Sequence, residues 1–168
     1  MNARQTTGYS GLQIGLHWLV ALLVLFQLVF GESMTNVVDA AEEGAAVSAT
    51  DQFLASSHYW VGISVLVLVA LRFVVRLATG APEPRTESRL AALAATATHW
   101  LFYFLLVAVP VSGLLAVYVS DEFGDIHTLA KPAFIILIVL HAGAALFHQF
   151  VLKDGTLRRM LAPARSML

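Results

Sequence analysis

Six histidines, His17, His58, His99, His127, His141 and His148, are the side chains best suited to chemistry in this sequence. A neutral imidazole can ligate a metal, relay a proton or exchange hydrogen bonds. All six lie in or at the edges of apolar runs, where a polar ring without a partner is expensive. Their spacing narrows the chemistry. His127 and His141 are 14 residues apart, which on one helix is about 21 Å of rise and about 40° short of whole turns. They share one side of that helix at two depths, and His148 follows two turns further along the same stripe.

The elements that carry these rings follow from composition. The chain has 168 residues, 58% of them hydrophobic and only 12% charged, about half the charged share of a soluble domain. Its mean hydropathy is +0.77. The expected solvent is therefore a bilayer. Four apolar stretches approach the roughly 20 residues that a spanning helix requires: Leu12 to Phe30, Tyr59 to Leu77, Thr98 to Val119 and Leu129 to Leu152. They lack the two-residue alternation of barrel strands. The expected fold is an all-α, integral membrane four-helix bundle forming a single transmembrane domain over residues 1–168. The first run reads as a retained helix rather than a cleaved leader, since it contains His17-Trp18 and is followed by a weak cleavage site. The acidic segment from Glu32 to Ser57 reads as a loop.

Charge sets the orientation. Nine of the ten cationic side chains fall on one side: Arg4, Arg72, Arg76, Arg85, Arg89, Lys153, Arg158, Arg159 and Arg165. The other side holds Glu32, Asp39, Glu42, Glu43, Asp51, Asp121, Glu122 and Asp125, with Lys131 as its one cation. The positive-inside rule then places both termini in the cytoplasm.

With depths assigned, the histidines pair. His58 opens the second span level with His127, and His17 lies about 10 Å inside the first span, level with His141. Two bis-histidine sites stack across the bilayer. The absence of cysteine excludes disulfides, thiolate-bound iron–sulfur clusters and covalent c-type haem attachment. Zinc would want four convergent ligands, which neither depth offers. Haem takes two axial imidazoles from facing helices and buries its macrocycle in the bundle. Ala21, Gly62 and Ala145, each four residues after one of these histidines, leave room for a flat ring.

Plainer roles stand beside these. His58 and His127, at span ends, also suit interfacial positions. Arg72 reads as a partner for a haem propionate, because an Arg fork suits a carboxylate. Arg76 serves equally as such a partner or as a snorkelling side chain. His99 and His148 are left without partners; they hydrogen-bond a propionate, line a quinone site with Lys153, or only pack. Pro110 removes a backbone bond from the third helix. Trp18, Trp60 and Trp100 read as interface anchors.

The ordered set "LQIGLHWLVALLV", "SSHYWVGISVLVLVALRFVVRL", "THWLFYFLLVAVPVSGLL" and "LHAGAALFHQFVLKDGTLRRML" resembles the bacterial cytochrome b-561 family of small di-haem membrane proteins. The resemblance covers nearly the whole chain. It implies two b haems, one held by His17 with His141 on the cytoplasmic side and one by His58 with His127 on the other. It also implies an inner-membrane protein that passes electrons between an extracytoplasmic partner and a quinone such as ubiquinone. One type in the family oxidises superoxide and reduces ubiquinone. Eight carboxylates against one lysine would repel that anion and favour a basic redox protein instead. No nucleic-acid partner is expected. A haem-bearing membrane anchor subunit and a histidine-lined ion transporter remain as rivals.

Overall fold

The structure, a computed structural model, describes residues 8–82 and 88–163. Arg4, Arg85 and Arg165, three of the cations used to orient the chain, lie outside the described residues. Five α-helices follow in order: α1 (Gly11–Phe30), α2 (Glu32–Glu43), α3 (Ala49–Thr79), α4 (Arg89–Tyr118) and α5 (Glu122–Phe147). A π-helical turn (His148–Leu152) and a short 3₁₀ turn (Leu157–Met160) complete the chain, and no strand occurs among the described residues. Among the described residues four helices are long and apolar enough to cross a membrane: α1, α3, α4 and α5 with its π turn, at mean hydropathies of 2.0 to 2.3.

Local chemistry explains the boundaries. Ser10 caps α1 through a capping box with Gln13, each side chain bonding the other's backbone N–H. Ser48 caps α3 by accepting from the Asp51 amide, and Ser88 caps α4 by accepting from that of Ala91. Gly44 ends α2 with φ 66°, a left-handed conformation that glycine adopts without a Cβ penalty.

The helices run past the apolar stretches that announce them. α3 starts at Ala49 rather than Tyr59, α4 at Arg89 rather than Thr98, and α5 at Glu122 rather than Leu129. The segment from Glu32 to Ser57, read from sequence as a loop, is largely helical: it contains α2 and the first turns of α3. Hydropathy marks where a helix is greasy, whereas caps decide where it ends. α2 has polar and charged residues over much of its length and lies along α3.

The main packing contacts join α1 with α3, α4 with α5, and α3 with α4; α1 with α5 is not among them. The core is a narrow belt of Val20 and Val24 from α1, Val65 and Val69 from α3, and Phe134 from α5. Phe134 stands midway in sequence between His127 and His141, so the belt separates the two histidine levels. Most remaining apolar side chains face outward, Leu22, Val67, Phe104 and Ile136 among them. Lipid, rather than protein, is their natural neighbour.

Candidate functional site

Three histidines gather at the level of His17 and His141. The ring centroids of His17 on α1 and His141 on α5 are 6.4 Å apart, and those of His99 on α4 and His141 are 5.6 Å apart. Phe102 closes against the same His141 ring at 5.2 Å. His99, which depth alone left without a partner, is thus a member of this cluster. At the other level the rings of His58 on α3 and His127 on α5 are 5.8 Å apart. Both depth-matched pairs are brought together, each reaching from α5 to the α1–α3 pair.

The geometry suits a metal held between two imidazoles. With metal–nitrogen bonds of ~2 Å, two imidazoles on opposite sides of one ion place their ring centres about 6 Å apart. Among the described residues no three His, Asp or Glu side chains converge into an ion site. A cofactor that brings its own equatorial ligands, as a haem does, fits such a two-ligand arrangement.

His127 shows how one of these rings is prepared. Its Nδ1 lies 2.9 Å from the Val109 carbonyl on α4. A carbonyl can only accept, so Nδ1 carries the hydrogen and Nε2 is the nitrogen with a lone pair to offer. The Ser112 hydroxyl donates to the same carbonyl at 2.7 Å and stands 3.5 Å from Nδ1. Gly113 makes the approach possible: a Cβ there would lie 3.0 Å from both Cε1 and Nδ1 of His127.

The cations lie beside the lower cluster. Arg72 donates from Nη1 to the Gln13 carbonyl at 3.2 Å. The Arg76 guanidinium sits over the Tyr103 ring, 5.9 Å from its centroid. Arg72, Arg76, Tyr9, Gln13, Leu16 and Tyr103 line a small cleft between α1, α3 and α4. Both guanidiniums are half-buried there, and the cleft could take a carboxylate.

His148 has a different setting. It begins the π turn, and its Nδ1 lies 2.5 Å from Asp154 Oδ2. Asp154 also accepts from the Thr156 backbone N–H at 2.9 Å. Partial burial pushes its carboxyl up, but the hydrogen bonds from Thr156 and His148 outweigh this and hold it below the usual carboxylate range. The segment then folds back so that Trp18 donates from Nε1 to the Met160 carbonyl at 2.8 Å. Lys153, exposed and with a left-handed φ of 55°, ends the π turn, its backbone N–H donating to the His148 carbonyl.

Sequence reasoning passed over Gln27, a polar residue inside an apolar helix whose Nε2 donates to the His58 carbonyl at 2.8 Å. The cost argument that singled out the histidines applies equally to it. The Val109 carbonyl carried no such signal, because every residue has one. Gly62, read as room for a flat ring, borders this same amide: a Cβ there would lie 3.3 Å from Gln27 Nε2.

Comparison with known proteins agrees with these features. Residues 8–163 match the family described as prokaryotic cytochrome b561. Cytochrome b562 of Cereibacter sphaeroides is 39% identical over 160 residues, spanning 95% of this chain and 98% of the relative. A probable superoxide oxidase, CybB, of Yersinia pestis is 31% identical over 181 residues, spanning 94% and 97%. Cytochrome b561 homolog 2 of Escherichia coli is 27% identical, spanning 94% and 93%. The chain belongs to the prokaryotic cytochrome b561 family and is a multi-pass b-type cytochrome of the bacterial inner membrane that acts in electron transfer.

Proposed function

We propose that the chain holds two b haems and moves electrons across the membrane between an extracytoplasmic redox partner and the quinone pool. The observation that carries this reading is the presence of two histidine pairs with ring centroids 6.4 Å and 5.8 Å apart, divided by the Val20–Val24–Val65–Val69–Phe134 belt. When bound, each haem supplies a one-electron ferric–ferrous couple. His17 with His141 would hold one haem and His58 with His127 the other, each through two imidazoles. His17 rather than His99 is the partner of His141. α4 packs directly against α5, whereas α1 and α5 are not a main packing pair, so a macrocycle between the latter would displace less direct helix packing. Arg72, with Arg76 beside it, would hold the propionates of the haem at the His17–His141 level.

Quinone meets the cytoplasmic side, where both termini lie by the distribution of charge. Its reduction consumes two electrons and two protons. His99, His148 and Lys153 are the candidates for orienting the ring or moving the protons. The other face carries Glu32, Asp39, Glu42, Glu43, Asp121, Glu122 and Asp125, which suits a basic redox protein.

A second reading, superoxide:ubiquinone oxidoreduction, is favoured by the relative of Yersinia pestis described as a probable superoxide oxidase. The same acidic face would repel superoxide, which leaves the exposed Lys131 as the cation to steer it. A haem-bearing anchor subunit of a larger complex and a histidine-lined transporter are the rivals of other classes.

Haem per purified chain, together with the dithionite-reduced minus oxidised spectrum, tests the first reading. About two haems are expected, falling to about one in His58→Ala and in His17→Ala. A colourless protein, or full haem content in both variants, would overturn it. Salt-dependent reduction by a basic cytochrome, set against the rate with superoxide, decides between the two donors.

A further inference from the structure

We infer that Gln27 is a positioning residue for His58, acting through two hydrogen bonds: one from its Nε2 to the His58 carbonyl and one from His58 Nδ1–H to its Oε1. The inference rests on the reading of His58 as an axial ligand.

Gln27 stands in α1, facing the α3 turn that bears His58, and its Nε2 donates to the His58 carbonyl at 2.8 Å. Two buried polar atoms close to this bond have no hydrogen-bond partner: Gln27 Oε1 and His58 Nδ1. One is an obligate acceptor. The other must be a donor if His58 ligates through Nε2, as its partner His127 is prepared to do. Burying either without a partner is unfavourable, because it loses its bonds to water and gains none. Two glycines shape the pocket that holds both groups. A Cβ at Gly31 would lie 2.6 Å from the Gln27 carbonyl and 3.4 Å from His58 Cε1, while one at Gly62 would lie 3.3 Å from Gln27 Nε2. A rotation that brings His58 Nδ1 to Gln27 Oε1 would satisfy both orphan atoms at once.

The functional consequence is electronic. A ligating imidazole whose Nδ1–H meets a good acceptor is a stronger base and favours ferric iron, which lowers the midpoint potential. His127 has the Val109 carbonyl for this purpose. Gln27 supplies the equivalent acceptor for His58, from a different helix.

Potentiometric titration and ferric low-spin EPR on the purified holoprotein test the inference, using Gln27→Leu, Gln27→Asn and Gln27→Glu. Leu removes the acceptor and Asn withdraws it by one methylene; both should raise the potential of the extracytoplasmic haem and change its g values. Glu, a stronger acceptor, should lower that potential. The other haem should keep its potential throughout. Opposite signs for Leu and Glu are what loosened packing alone would not produce, and Asn carries the test if Leu fails to accumulate. Unchanged potentials, or shifts of one sign in all variants, would overturn the role of Gln27. His58→Ala separates the two layers: if it keeps both haems, the ligand assignment itself fails, whereas loss of one haem with silent Gln27 variants rejects only this inference.

Discussion

His127 and Val109 are locked together across the α4–α5 contact, imidazole Nδ1 against main-chain carbonyl at 2.9 Å. The bond fixes the tautomer of the ring, which stands 5.8 Å from that of His58, and it depends on Gly113, which admits the ring. Enlarging that residue should therefore disturb one site and spare the other. If the His58–His127 pair holds a haem, that haem should be lost or partly occupied in Gly113→Val, taking the content from about two per chain toward about one. Overpacking of this kind costs about 1–3 kcal/mol. Pyridine haemochrome analysis per chain reads the outcome.

The lower cluster makes a sharper distinction, since His141 has two histidine neighbours. His141→Ala and His17→Ala should each remove one haem. His99→Ala should keep both haems and slow quinone reduction about 10²-fold or more, the usual loss on removing a proton-transfer group. The reverse result, haem lost in His99→Ala and retained in His17→Ala, would reassign the pair.

Arg72 is held by the Gln13 carbonyl in a half-buried position. If it also holds a propionate, Arg72→Leu should weaken haem retention at the cytoplasmic-side site by about 10–100-fold, as removal of an outer-shell partner does. Arg72→Lys should restore only part of this, because a point charge lacks the bidentate fork. A snorkelling arginine predicts no change in either variant, and haem release in a detergent dilution series distinguishes them.

The Asp154–His148 pair ties the C-terminal segment to the end of α5. Asp154 has a lowered pKa in the folded chain, so its stabilisation is present above the ordinary carboxylate value. It is lost as pH falls below about 4 and through the lowered value. Acid should therefore release this segment, and with it the Trp18–Met160 hydrogen bond, before the bundle unfolds. Trp18 fluorescence should report the release against a background variant with Trp60 and Trp100 replaced by Phe. Asp154→Asn should leave the segment loosened at neutral pH and abolish the acid transition.

Much of the architecture was readable because it is local. Apolar runs of bilayer length and the 14-residue interval between His127 and His141 are properties of one segment at a time. Helical geometry then converts intervals into depths, which is why His17 with His141 and His58 with His127 could be matched before any helix had a neighbour. The sequence by itself thus determined the helices, the levels of the rings and the family resemblance. It did not determine helix boundaries well where polar turns extend a span, as in the ten residues from Ala49 to His58.

What tertiary structure alone decided is which groups meet across helices. His99 joins His141 because α4 packs on α5, and depth says nothing about azimuth between helices. The Val109 carbonyl becomes the partner of His127 because Gly113 opens one notch in α4. The π turn at His148 shifts the register so that Asp154, rather than another helix, meets its ring. Hydrophobic patterning specifies one face of each helix against lipid or protein. The orientation of a single polar ring is set by a few directional bonds whose partners lie far away in the chain, and only the packed bundle brings them within reach.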